Sequence, residues 1–355
     1  MKGPLGAPLL VVVGSGGVGK TTLAAALGLH SAATGTDTLV MTFDPSRRLK
    51  DALGVGERAA DRAVAVETDL PARLDASLLD PRATFDRLIE RYAPGSAEAD
   101  RIYRNRFYHQ LAGTLAGILE YMAVERLFEV ADEGHYGRVI LDTPPTRQAL
   151  DFLHAPQRMV AFLDSGALKV ALRPWFDDRG RLRAGKLKVF GKGFEALLDR
   201  LIGLALLRDI AEFFQAFGPL YEGFRSRALD VQALLRSERT RFVLVSGPGE
   251  ERVADTLFFA RKLTEDGCRL GPVVVNQVHP EVARGERERG ERTGALEEGL
   301  RLFAALGERD RNGLASLRGL LPGIPVAAMP LLPEPPTTLP ALRALGTRLA
   351  AAVAP

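Results

Sequence analysis

Residues 9–22 read Leu9-Leu10-Val11-Val12-Val13-Gly14-Ser15-Gly16-Gly17-Val18-Gly19-Lys20-Thr21-Thr22, and the fold follows from this stretch. The apolar run 9–13, bounded by Pro8 and Gly14, predicts a buried strand. Leu23-Ala24-Ala25-Ala26-Leu27-Gly28-Leu29 is rich in Ala and Leu and predicts a helix. Between them stands G-x-x-x-x-G-K-[ST], the spacing of a phosphate-binding loop. Its glycines allow backbone N–H groups to turn toward one anionic centre, because no Cβ blocks the approach. The helix N-terminus adds partial positive charge at the same place. Lys20 is placed to reach the β- and γ-phosphates and the Thr21 hydroxyl to hold Mg²⁺. Gly14, Ser15, Gly16, Gly17, Val18, Gly19, Lys20, Thr21 and Thr22 are the candidate nucleotide contacts.

Working outward, 355 residues suffice for one large α/β domain or two smaller ones. Hydrophobic content of 46% and charged content of 26% are those of a soluble globular chain. A net charge of +3 carries no nucleic-acid or anionic-membrane footprint. The single cysteine, Cys268, excludes an internal disulfide and a multi-cysteine zinc site, and reads as a small buried or half-buried residue. The N-terminus runs directly into the first strand without a signal-peptide pattern. No apolar run approaches the roughly 18 residues of a transmembrane span. These features predict a cytoplasmic protein with no transmembrane segment.

Further strands are expected at 38–43, 64–67, 138–142, 241–246, 272–276 and 324–329. Residues 71–132 read as a helical segment, with Tyr108, Leu111, Leu115, Ile118 and Met122 forming one apolar face. Residues 151–235 leave the strand–helix rhythm and read as a helical insertion rich in aromatics. Residues 281–292 alternate Glu and Arg with glycines and read as a solvated loop or helix end. A helix is expected from about Glu250 to Thr264, and a closing one from Leu339 to Ala352. The fold class expected is α/β: a single P-loop domain over 1–355, its doubly wound, mostly parallel sheet flanked by helices, with a helical insertion subdomain.

Ligands of such sheets bind at the strand C-terminal ends. Gly14, Asp44, Asp142, Asn276 and Pro330 each close or follow an expected strand. Phosphoryl transfer needs a metal-holding carboxylate and a group that orients water. Asp142, after Val139-Ile140-Leu141, is the candidate for the metal; a helix cap is its other reading. Asp44 is the candidate to orient the attacking water; an Asx-type turn before Pro45 is its alternative. Asn276 has an amide suited to reading adenine.

At this point a resemblance becomes legible. Gly14 to Thr22 resembles the deviant Walker A motif of dimeric P-loop ATPases. Asp44-Pro45-Ser46-Arg47-Arg48-Leu49 resembles switch I of the arsenical-pump and tail-anchored-protein-targeting ATPases. Asp142-Thr143-Pro144-Pro145-Thr146-Arg147-Gln148-Ala149-Leu150 resembles their switch II. Val275-Asn276-Gln277 and Met329-Pro330-Leu331 are similar to their two adenine-side segments. The resemblance implies an ATP- and Mg²⁺-dependent ATPase that works as a dimer, homotypic or mixed with a related subunit. It also implies an apolar helical client on the insertion 151–235, and through that client an indirect membrane link. The other reading of the insertion is an ordinary helical subdomain with its apolar faces buried.

Three departures bear on the activity. Ser15 stands where the family's motif has a lysine that crosses the dimer to the partner's phosphates. Arg47, Arg48 and Arg147 replace uncharged or weakly basic switch residues; one of them substitutes for that lysine, or all point into solvent. The family's zinc-clamping and arsenite-sensing cysteines are missing, which disfavours an arsenite-pump motor. A non-catalytic ATP-binding subunit of a mixed dimer is the alternative to an ATPase acting alone.

Overall fold

In a computed structural model, residues 3–42, 48–55, 62–106, 108–109, 118–144, 146–164, 209, 212–213, 216–280 and 294–354 are described. They fall into two compact units: 1–79, 127–150 and 234–355 form the first, 80–126 and 151–233 the second.

Among its described residues the first unit is built on eight strands: β1 (Leu9–Gly14), β2 (Thr38–Thr42), β3 (Val64–Ala65), β4 (Leu74–Leu78), β5 (Arg138–Asp142), β6 (Thr240–Ser246), β7 (Leu270–Val278) and β8 (Val326–Pro330). Their order is β3-β4-β2-β5-β1-β6-β7-β8. All neighbours are parallel except the two-residue β3, which runs antiparallel to β4. β1 lies between β5 and β6, so both of its faces and both of its edges are covered. That is why it reads as an unbroken apolar run. The chain leaves β1 toward β2 on one side and later returns to β6 on the other. This reversal opens a crevice at the β1 C-terminal end.

The pleat divides the core. Leu10, Val12, Ile140, Val243, Val245 and Val274 pack with helix α1 (Lys20–Ala33) and the closing helix, Leu339–Ala352. Val275, one residue on from Val274, packs instead with Leu314 and Leu317 of helix Gly294–Leu320. Helices therefore cover both faces, as a doubly wound sheet requires. α1 meets the closing helix at a backbone contact: a Cβ on Gly346 would stand 2.0 Å from the Ala26 carbonyl oxygen. Gly346→Ala must push the two helices apart. We expect it to destabilise the protein by about 2–3 kcal/mol, read as a lower urea midpoint.

Two elements differ from the sequence reading of the first unit. Residues 71–132 are not helical throughout, because Leu74–Leu78 forms β4. Asp75 and Ser77 hide this strand in the sequence, since an acidic residue in a buried strand is rare. Asp75 is fully buried and is held there by Arg73 Nε at 2.8 Å and the Tyr136 hydroxyl at 2.5 Å. The 27-residue helix Gly294–Leu320 has no counterpart in the sequence reading. Gly299, Gly307, Gly313 and Gly319 lower its intrinsic propensity, and packing of Leu314 and Leu317 overrides that. The other strands agree within a few residues, and Leu339–Ala352 matches end for end.

The second unit is mainly helical among its described residues. It holds α3 (Pro81–Tyr92) and α4 (Ser96–Arg104), following α2 (Arg48–Leu53) of the first unit, and the N-terminal part of α5 (Ile118–Glu133). It also holds most of α6 (Thr146–Asp164) and of α7 (Tyr221–Arg236). Asp80 caps α3 by accepting from the N–H groups of Arg82 and Ala83. Phe85, Tyr92, Tyr108, Phe217 and Phe224 form a ring cluster with centroids 4.8–6.0 Å apart. Gly223 is required beside it, since a Cβ there would meet the Tyr92 ring at 2.3 Å. Tyr108 and Met122 of the expected 71–132 stripe are buried; Leu111 and Leu115 lie outside the described residues. Within the insertion, Phe152, Leu153, Met159, Phe213 and Phe217 are buried. Residues 165–208, with Trp175, Phe176, Phe190 and Phe194, lie outside the described residues, as do 281–293.

Candidate active site

The β1 C-terminal crevice contains the glycine-rich loop 14–22. Gly14 ends β1 with φ 152°, and a Cβ on it would stand 2.0 Å from the Val245 carbonyl oxygen of β6. Gly17 and Gly19 have φ of 77° and 89°, the left-handed region that glycine alone enters freely. Gly19 is the N-cap of α1 and offers no side-chain cap. The first-turn N–H groups are thus left to the concavity of the loop, with the positive end of the helix dipole behind them. This is an anion cradle that substitution at its glycines would fill or strain. Lys20 is nearly buried, and its Nζ donates to the Ser15 carbonyl oxygen at 2.9 Å. That bond folds the ammonium back over the loop.

Asp142, at the end of β5, is fully buried. Its Oδ2 accepts from the Thr21 hydroxyl at 2.7 Å and from the Thr42 hydroxyl at 3.1 Å. The carboxylate and the cradle, 121 positions apart in the chain, therefore meet at one point. β5 and β1 are aligned for this, with Val12 opposite Asp142. Thr143 donates through N–H and hydroxyl to the Val12 carbonyl at 3.2 and 2.8 Å, tying the following turn to β1. Sequence reasoning misses Thr42. Its only signal there is its place at a strand end two residues before Asp44.

These hydroxyl and carboxylate oxygens are hard donors, the set that suits Mg²⁺ held by one carboxylate and substrate phosphates. Among the described residues no group of three His, Cys, Asp or Glu forms a metal cage of protein ligands alone.

Asn276 lies at the other side of the loop, nearly buried at the end of β7. Its Nδ2 donates to the Val18 carbonyl oxygen at 2.8 Å, and a Cβ on Gly19 would press on that nitrogen at 2.5 Å. The amide thus braces the phosphate loop, a task its sequence position does not announce. Pro330 ends β8, paired with Val278, and the Leu331 N–H donates to the Val278 carbonyl at 2.8 Å. The two segments expected on the adenine side are thereby knitted to one another.

Asp44, Pro45, Ser46 and Arg47 lie outside the described residues. Arg48 opens α2, and Arg147 lies in the first turn of α6. Cys268 is buried, and burial pushes its thiol pKa up to about 11, which makes it a poor nucleophile.

A parallel sheet with a glycine cradle, an inward lysine and a strand-end aspartate bonded to the loop threonine defines a P-loop nucleotide-binding protein. The comparison with known proteins narrows this. A family model described as anion-transporting ATPase matches residues 8–297, and the chain belongs to that family. It is 25% identical over 270 residues to ATPase GET3 of Chaetomium globosum, covering 76% of this chain and 72% of that protein. Over 334 residues it is 25% identical to an Aquifex aeolicus protein provisionally named arsenical pump-driving ATPase 1, covering 92% of this chain and 74% of the relative. The chain is an ATPase of this family. No helix among its described residues is long and apolar enough to cross a membrane.

Proposed function

We propose that the chain is a Mg²⁺-dependent ATPase that switches a dimer between nucleotide states and holds or transfers an apolar client or partner. The observation that carries the enzymatic part is the 2.7 Å bond between Thr21 and Asp142 at the mouth of the cradle. In this reading the loop N–H groups and Lys20 bind the β- and γ-phosphates of ATP, and Thr21 with Asp142 holds the cation. Bound Mg²⁺ supplies charge neutralisation on the phosphate oxygens. Asp44 orients a water whose oxygen attacks the γ-phosphorus as the bond to the β-phosphate oxygen breaks. ADP and inorganic phosphate leave, and the water's proton ends on phosphate. Asn276 and Pro330 bound the adenine.

Loss of the γ-phosphate is read out at Asp142 and Thr143, which α6 follows directly. That helix runs in sequence from the first unit into the second at Leu150 and Asp151. The client reading draws on the aromatics of residues 165–208; Phe152, Phe213, Phe217 and Phe224, elsewhere in the insertion, are buried.

Ser15 favours a second reading. It removes only what this chain would offer to its partner's site, so a mixed dimer whose other member carries the lysine fits as well. An arsenite-pump role is disfavoured by the lone cysteine. The decisive measurement is steady-state phosphate release by the purified chain alone, with Mg²⁺ and with EDTA, beside its mass by light scattering in ATP and in ADP. Mg²⁺-dependent turnover with a nucleotide-dependent dimer is expected. Tight ATP binding without turnover would transfer the conclusion to the mixed dimer.

A further inference from the structure

We infer that Asp310 is a positioning residue for the nucleotide base, acting through His279 on the strand end that carries Asn276. The inference rests on the assignment of Asn276 and Pro330 to the base.

Asn276 sits in an irregular piece of β7. The register against β8 shifts between Val275 and Val278, and Gln277 adopts φ 62°. A residue with a Cβ enters this region only where its surroundings impose it. Such a strand end needs an external hold, or it relaxes and takes Asn276 with it.

Helix Gly294–Leu320 supplies one. Asp310 is fully buried, and its Oδ2 accepts from the His279 N–H at 2.9 Å and from the His279 ring Nδ1 at 2.7 Å. Two bonds to one residue fix both its backbone and its side chain, and a buried carboxylate is costly to leave without donors. Arg309 stands at 3.3 Å from Oδ1 and reaches Glu251 at 3.6 Å. One turn before Asp310, a Cβ on Gly307 would lie 3.0 Å from the Pro280 carbonyl oxygen. One turn after it, a Cβ on Gly313 would lie 3.0 Å from the Gly249 carbonyl. Gly307, Asp310 and Gly313, at three-residue spacing, thus form one face. Its glycines admit backbone from beyond the ends of β7 and β6, and its carboxylate clamps what is admitted.

His279 is three residues from Asn276, and Val278 between them accepts from Leu331, next to Pro330. Asp310 therefore anchors the strand end on which both base-side segments converge. Because Asn276 also bonds the Val18 carbonyl, the same anchor supports the loop. A residue that merely stabilised the fold would not change which base is preferred; a positioning residue does.

The test uses the full chain and compares kcat and KM for ATP and for GTP in Asp310→Ala, Asp310→Asn, His279→Ala and Asn276→Ala. In Asp310→Ala we expect the ATP-to-GTP ratio of kcat/KM to fall about tenfold, mainly through KM for ATP, in parallel with Asn276→Ala. Asp310→Asn retains an acceptor oxygen and should keep most of the preference. If Asn276→Ala loses the preference while a folded Asp310→Ala keeps it, the inference is overturned and the base assignment stands. Wild-type preference in Asn276→Ala would remove the base assignment, and the inference with it. Should Asp310→Ala not fold, His279→Ala decides, since it deletes only the ring half of the clamp. About a threefold loss of preference there supports the inference, and no change overturns it.

Discussion

Lys20→Ala should lower the rate of phosphate release by about 10³-fold while leaving the thermal midpoint nearly unchanged. Transfer of a phosphoryl group depends on charge held in place before reaction, and Lys20 is the cation built into the cradle itself. Its ammonium lies over the loop, nearly buried, so its field at the phosphates is little screened by water. The fold asks little of it: alanine suits the first turn of α1, and the bond lost to Ser15 is worth about 1 kcal/mol. Lys20→Arg should also fail, because a planar fork does not replace a compact ammonium in a glycine-walled cradle. Steady-state phosphate release, together with a melting curve, checks both. Turnover within tenfold of wild type in Lys20→Ala would show that the loop does not hold the reacting phosphate.

The largest effect on stability is expected in the helical unit, at Glu125. Its carboxylate is fully buried and accepts from Arg227 Nε at 2.6 Å and from the Tyr121 hydroxyl at 3.2 Å. Arg227 is itself 8% exposed. Removing one member of such a pair leaves the other charge in a medium that solvates it poorly. Glu125→Ala should therefore cost about 3–5 kcal/mol and lower the thermal midpoint by about 10 °C. The paired change Glu125→Leu with Arg227→Met should recover most of the loss, because apolar groups of similar volume need no partner. Denaturant unfolding of the two single variants and the double variant measures the coupling. Additive losses would show that the two groups do not depend on each other. Burial also pushes the Tyr121 phenol well above the usual tyrosine range, since an ionised ring there would face Glu125 as well as low polarity.

Much of the site is legible in the amino-acid sequence. The cradle can be read because its requirements are local. Glycines admit positive φ at 17 and 19, and the lysine and threonine follow at fixed offsets on one helix. Asp142 can be read because a strand end on a parallel sheet points at the crevice. Asn276 stands out for its amide, yet its bond to Val18 spans 258 positions and no local pattern encodes it. Neither Thr42 nor Asp310 stands out at all. A threonine ending a strand and an aspartate inside a glycine-punctuated helix look ordinary until the chain is folded.

The same division runs through the fold. By itself the chain determined the α/β class, the buried central strands and the phosphate loop, because hydrophobic periodicity and glycine placement act over a few residues. Only the tertiary structure decided that Leu74–Leu78 is a strand and Gly294–Leu320 a helix, and that the chain forms two compact units. In each case the reason is that burial against distant partners outweighs local preference: Tyr136 for Asp75, His279 for Asp310, Arg227 for Glu125.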